Sequence, residues 1–119
     1  MNQGDLGRLA KLAAMKRDAD LQDLSKISLQ MNVLQTEINA LRTKVRARDE
    51  TVSLDPARLT GVDVVWQRWV NGKITSHQAR MAELALAREM FVARARLSFG
   101  RAEVLDKLHE RNKSSRPKY

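Results

Sequence analysis

The sequence predicts an all-α fold, an antiparallel two-helix coiled-coil hairpin. Two long stretches repeat apolar residues at a mean spacing of 3.5 positions, and one short break separates them. The 119 residues are 30% charged and only 4% aromatic, so they supply few large side chains for a compact interior. We therefore expect a single domain, residues 1–112, whose core is the seam between two helices.

The first helix is predicted over residues 5–50. Asp5 suits its N-cap, because a carboxylate accepts hydrogen bonds from the free amides of the first turn. Further along, apolar residues alternate in steps of three and four, the spacing of a coiled-coil seam: Leu24, Ile27, Met31, Leu34, Ile38, Leu41 and Val45. This stripe is narrow, as expected for a helix that packs on one partner helix.

The turn is predicted at residues 51–55 and the second helix at residues 56–112. Asp55 suits the N-cap, and Pro56 suits the first helical position, where its missing amide donor costs nothing. A connection this short makes the two helices antiparallel.

The position of the turn sets which residues face each other. It brings Arg17 and Asp20 to the level of Arg88, and Trp66 to the level of Leu41. Because the seam register places Arg17 and Asp20 at core positions, we expect a charged layer there, in which Asp20 bridges at least one of the two arginines.

The seam of the second helix changes phase near residues 71–74. An early stripe ends at Trp69, and the step from there to Ile74 is five residues. The later seam then runs through His77, Met81, Leu84, Arg88, Phe91, Ala95, Ser98, Ala102 and Leu105. The slip coincides with Asn71-Gly72, so we expect the helix to be kinked or broken there.

Positive charge is concentrated in the second half of the chain. The formal net charge is +8, and residues 51–119 carry thirteen Lys/Arg against seven Asp/Glu. This balance favours an acidic protein surface, nucleic acid or an anionic membrane as partner. Residues 113–119 are small, polar and basic, and we expect them to be a disordered tail.

The sequence gives little sign of catalysis or of secretion. Cysteine is absent, so disulfides and thiolate metal sites are excluded, and a cytoplasmic location fits. His77 and His109 are too far apart on one helix to share a metal, and no phosphate-binding loop occurs. We expect neither enzyme activity nor a cofactor, and neither a secretion signal nor a membrane span.

A second apolar stripe lies on the second helix, away from the seam. Met90, Leu97 and Val104 recur every seven residues. Leu86, Ala93 and Leu108 support the same stripe. Two interpretations remain open: the stripe widens the internal seam, or it contacts another protein.

The two tryptophans also allow two interpretations. Trp66 and Trp69 lie beside the predicted turn, where they can pack on the first helix or present one ring outward to a partner. The many arginines around them are typical of a solvated face, and no recognised motif or stacking aromatics point to nucleic acid.

The whole pattern resembles the FliJ family, the small cytoplasmic stalk proteins of flagellar and related type III secretion systems. The likeness rests on the long capped first helix, the Asp-Pro turn and the Trp-x-x-Trp opening of the second helix. It also rests on an arginine-rich close, in which Val104, Leu105, Leu108 and Arg111 form a Val-Leu-x-x-Leu-x-x-Arg pattern.

This resemblance implies a cytoplasmic stalk, peripheral to the membrane through an export apparatus, that couples a hexameric export ATPase to the export gate. The surface implied for the ATPase includes Leu97, Arg101, Val104 and Leu108, and Met90 extends the same stripe. The surface implied for the gate protein includes Trp66, Val70 and His77. Export chaperones are further implied partners. The alternatives are an RNA-binding coiled-coil arm, which would use the basic face on phosphates, or a general coiled-coil adaptor.

Overall fold

The computed structural model describes residues 2–54 and 61–114, which form two helices, α1 (Gln3–Leu54) and α2 (Gly61–Ser114). No strand occurs within these two ranges. The predicted all-α helical hairpin is thereby confirmed. Lys113 and Ser114, predicted to begin a disordered tail, are instead the last two residues of α2. Asp55, Pro56 and residues 115–119 of the predicted tail lie outside the described residues.

The helices pack as two units, each of which combines a segment of α1 with a segment of α2. The terminal unit contains residues 2–27 and 87–114, and the connecting unit contains residues 28–54 and 61–86. Within each unit, residues further along α1 face residues nearer the start of α2, so the helices are antiparallel. The pairs that show this are Gly7 with His109, Asp20 with Ser98, Glu37 with His77, and Arg48 with Asp63.

Both ends of α1 differ from the prediction. Asn2, not Asp5, caps the helix: its Oδ1 accepts a hydrogen bond from the Asp5 amide at 2.8 Å. Asp5 lies one turn inside, where its carboxylate pairs with Arg8 and complements the positive end of the helix. At the other end the helix continues through the predicted turn as far as Leu54.

The predicted seam of α1 faces α2. Ile27 and Ile38 are buried and the other five seam residues are half-buried, whereas their neighbours on the opposite face are exposed. On α2 the predicted seam is also buried or half-buried from Ile74 to Leu105, with one exception. Arg88 is exposed, and Ala87 takes the half-buried place beside it.

The predicted break in α2 is absent, because residues 70–75 are continuous α-helix. The seam residue in this segment is Val70, which is fully buried, and not Trp69. The seam therefore runs Asp63, Trp66, Val70, Ile74, in steps of three, four and four. Such an eleven-residue repeat absorbs the phase change by locally unwinding the supercoil, so the helix does not need to break.

A substitution at Gly72 tests this continuity. We expect Gly72→Ala to raise the free energy of unfolding by roughly 0.5–1 kcal/mol, since glycine weakens a helix interior. Gly72 has no positive φ, and a Cβ there meets no described atom within 4 Å. Urea unfolding followed by circular dichroism measures the change. A less stable variant would mean that the backbone at this position is not helical.

The two units are filled by side chains of different size. Among the residues whose burial is described, the buried apolar residues of the connecting unit are Ile38, Val70 and Leu84. Apart from Ile27, those of the terminal unit are alanines, namely Ala10, Ala95 and Ala102. An alanine side chain removes less apolar surface from water than isoleucine, valine or leucine does, so these three buried positions contribute less hydrophobic stabilisation.

Candidate partner-binding surfaces

The five residues assigned to the ATPase side lie on α2 in the terminal unit, and all of them are exposed: Met90, Leu97, Arg101, Val104 and Leu108. The Leu97 side chain is 59% exposed, whereas Ala102 on the seam of the same helix is 1% exposed. The stripe therefore does not widen the internal seam, and the first of the two interpretations is wrong. Large exposed apolar residues that lie close together are typical of contact surfaces.

Two small exposed residues complete this stripe. Ala93 and Gly100 lie between Met90, Leu97 and Val104, so the steps along the stripe are three, four, three and four. This is again the spacing of a coiled-coil seam, on the side of α2 away from α1. We name Met90, Ala93, Leu97, Gly100 and Val104 the outer seam. Its small members leave room for another backbone to approach closely.

An open apolar groove joins the outer seam to α1. It has a volume of about 640 Å³ and is lined by apolar residues of both helices, including Leu9, Leu12, Leu97, Gly100, Val104 and Leu105. The residues predicted for this surface from the sequence all belong to α2, and none belongs to α1. Leu9 and Leu12 could have been noticed, because they are apolar and lie off the seam.

The residues assigned to the gate side divide into different environments. Val70 has no exposed area, so its side chain cannot contact a partner, and it must be removed from this surface. Trp66 is half-buried, with the Arg48 guanidinium carbon 4.3 Å from its ring centroid. His77 is half-buried, and its Nε2 lies 3.1 Å from Glu37 Oε2.

The outward-facing aromatic ring of this region is Trp69. Its side chain is 55% exposed, and Lys73 Nζ lies 5.6 Å from its ring centroid. Trp66 is in a different environment, because the Arg48 side chain over its ring also donates a hydrogen bond from Nε to Asp63 Oδ1 at 3.0 Å. Both interpretations of the tryptophan pair therefore hold, one for each ring. Trp66 packs within the hairpin, and Trp69 faces outward.

A charged layer lies in the core of the terminal unit, but its partners differ from the prediction. Asp20 is only 2% exposed and accepts hydrogen bonds from Lys16 Nζ at 2.8 Å and from the Ser98 hydroxyl. Among the described residues it bridges neither Arg17 nor Arg88. Arg17 pairs with the neighbouring Asp18 at 3.2 Å instead. The predicted salt bridge of Asp20 with an arginine is therefore wrong.

These contacts change the acidity of Asp20. The hydrogen bond from Lys16, followed by that from Ser98, lowers the pKa of the Asp20 carboxyl, and burial opposes them by raising it. The positive charges of Lys16 and Arg94 lower the pKa further. The ionised carboxylate is therefore the form that the folded hairpin stabilises.

A pH titration of stability tests the Asp20 layer. Because the folded-state pKa is lowered, its contribution is complete above the ordinary aspartate pKa and is lost as the pH falls through the folded-state pKa. We expect the stability difference between the wild type and Asp20→Asn to shrink between about pH 5 and pH 2. Lys16→Met should reduce the same dependence. A difference that stays constant over this range would contradict the assignment.

The described ranges contain neither a metal-binding cluster nor a membrane-crossing helix. Within residues 2–54 and 61–114, no group of three or more His, Asp or Glu side chains is placed to hold a metal ion. Neither α1 nor α2, over those residues, is apolar enough along its length to cross a bilayer.

Comparisons with known proteins add no relative. No family model, curated protein or solved structure matches this chain. The functional argument therefore rests on the residues themselves.

Proposed function

We propose that this protein is a non-catalytic cytoplasmic stalk of a type III protein export apparatus. In this proposal the terminal unit binds a hexameric export ATPase, and the connecting unit contacts the export gate. The observation that carries it is the outer seam. Its residues have the spacing of a coiled-coil seam, and they lie on a face of α2 that α1 does not cover. The resemblance to the FliJ family supplies the identity of the partners.

The chemistry of the two exposed surfaces supports a role in binding. On the ATPase side, Met90, Leu97, Val104 and Leu108 offer apolar contact area, and Arg101 adds a positive charge for an acidic partner surface. An arginine within an apolar patch is a frequent hot-spot residue in protein interfaces.

On the gate side, the proposal keeps Trp66 and His77 and adds Trp69, the more exposed ring. Tryptophan combines a large apolar area with a polar N–H, which suits it to anchor an interface. Val70 acts on this surface only indirectly, since it packs the two helices beneath it.

The test uses the purified full-length chain and a purified hexameric export ATPase. We expect the two to co-elute in gel filtration at moderate salt, and Leu97→Asp and Arg101→Glu to abolish co-elution. Glu83→Lys is the control, because it also changes the charge of an exposed position but lies in the connecting unit. It should bind the ATPase like the wild type.

The same preparation distinguishes the alternatives. An RNA-binding arm would retain RNA and lose it steeply between about 50 and 200 mM salt, because phosphate contacts release counterions. Salt-sensitive RNA retention without ATPase co-elution would overturn the stalk proposal in favour of that arm. If the protein retained neither the ATPase nor RNA, the stalk proposal would also be overturned, and a general coiled-coil adaptor would be the remaining alternative.

A further inference from the structure

We infer that the open groove of the terminal unit is a docking site for an acidic, amphipathic α-helix of a partner protein. This goes beyond the stalk proposal, because it follows from the shape and charge of the groove and does not require the partner to be an ATPase. The groove and the proposed ATPase surface share Leu97, Arg101 and Val104.

The spacing of the groove residues selects a helix as the occupant. Leu97, Gly100 and Val104 follow one another in steps of three and four, which is the pattern that a single helix matches along its length. Leu9 and Leu12 supply the opposite wall from α1. A helix laid in the groove would contact both α1 and α2, as in helix-in-groove recognition.

Gly100 makes close approach feasible. It is exposed within the groove, and a Cβ built on it meets no described atom within 4 Å. The absence of a side chain at this point lets the backbone of a docked helix lie near α2, as small residues do at other helix–helix contacts.

The charges at the groove select an acidic occupant. Arg96 and Arg101 line it, and within the described residues neither forms an ion pair or hydrogen bond. They are the charged residues among those that line the groove, and the other lining residues are apolar or glycine. Two unmatched guanidinium groups beside an apolar surface favour carboxylates on the flanks of the incoming helix.

A second copy of this chain fits the groove less well. A copy docked through its own outer seam would bring another Arg96 and Arg101 to the same contact, and like charges destabilise such a pair. The net charge of +8 opposes self-association over a longer range. The favoured occupant is therefore acidic and belongs to a different protein.

The probe is a pair of designed helical peptides of about twenty residues, with leucine and alanine at coiled-coil spacing. One peptide carries glutamate at the flanking positions, and the other carries lysine at the same positions. Binding to the full-length protein is measured by fluorescence anisotropy, and sedimentation of the protein alone reports self-association. We expect the glutamate peptide to bind at least about tenfold more tightly than the lysine peptide.

Two glycine variants provide a matched test of the site. Gly100→Glu places a charged side chain in the groove, and Gly72→Glu makes the same change at an exposed position of the connecting unit. We expect Gly100→Glu to weaken the glutamate peptide at least about tenfold and Gly72→Glu to leave it within about twofold. Circular dichroism verifies that both variants remain helical.

A charge exchange completes the test. With Arg96→Glu and Arg101→Glu combined, we expect the preference to reverse in favour of the lysine peptide. Equal binding of both peptides, binding of neither, or equal loss in both glycine variants would overturn the inference. Self-association of the wild type that Gly100→Glu abolishes would also overturn it, because the groove would then belong to a second copy. Peptide binding without ATPase binding would leave this inference standing and remove only the stalk proposal.

Discussion

Leu97→Asp should leave the hairpin folded, whereas Ala102→Asp should unfold it or loosen it severely. Both changes place the same carboxylate on α2, five residues apart, but Leu97 is 59% exposed and Ala102 is 1% exposed. An exposed substitution typically changes stability by about 0.5 kcal/mol. A carboxylate forced into the seam without a partner should cost more than about 3 kcal/mol.

Paired thermal melts followed by circular dichroism and ATPase co-elution read out this prediction. Leu97→Asp should retain helix content and melting temperature and lose the ATPase, while Ala102→Asp should lose both. If Leu97→Asp melts as early as Ala102→Asp, the outer seam is part of the folding core. If Leu97→Asp binds like the wild type, the outer seam is not the contact surface.

Val70→Ala should destabilise the protein much more than Trp69→Ala, although tryptophan is the larger residue. Val70 is fully buried, so the truncation removes its transfer free energy and leaves a cavity, at a cost of about 2 kcal/mol. Trp69 is 55% exposed, and its contact with Lys73 is worth at most about 1 kcal/mol.

Urea unfolding of the two variants separates these effects, and binding of an export gate protein adds a second measurement. Trp69→Ala should weaken gate binding in the stalk proposal while the fold persists. A Trp69→Ala variant that is less stable than Val70→Ala would place Trp69 on the seam and restore the phase slip of five residues.

The sequence was sufficient to predict the fold class and the seam of α1. Seven apolar residues from Leu24 to Val45 follow a strict heptad, and this pattern requires a partner helix along one face. The break in α2 was predicted from a choice between two adjacent residues. Trp69 continued the alternation of three-residue and four-residue steps and was taken as the seam residue, whereas the structure uses Val70, and this choice created the apparent slip.

The register of the hairpin could not be read from the heptads. An antiparallel pair that shifts by a whole heptad still places apolar residues opposite apolar residues, so only the connection distinguishes the registers. Because α1 continues to Leu54 and α2 begins at Gly61, Asp20 faces Ser98, ten residues beyond Arg88. For the same reason Trp66 lies beside Arg48 and not beside Leu41, as the predicted register placed it.

The candidate surface was predictable only in part. The heptad spacing of Met90, Leu97 and Val104 indicated a second stripe, and their exposure follows from their angle to the seam. The groove depends on where α1 lies beside that stripe, and Leu9 and Leu12 enter it only through the true register. Sequence patterns along one helix do not contain this information.

The alanine-rich core of the terminal unit has a consequence for the order in which parts of the protein open. Small buried side chains contribute little free energy, so local unfolding of this unit should require less energy than that of the connecting unit, which buries Ile38, Val70 and Leu84. Its backbone amides should therefore exchange hydrogen for deuterium faster. A helix docked in the groove would add the apolar contacts that Ala10, Ala95 and Ala102 do not provide, and would slow that exchange. Partner binding and completion of the fold would then be the same event at this end of the hairpin.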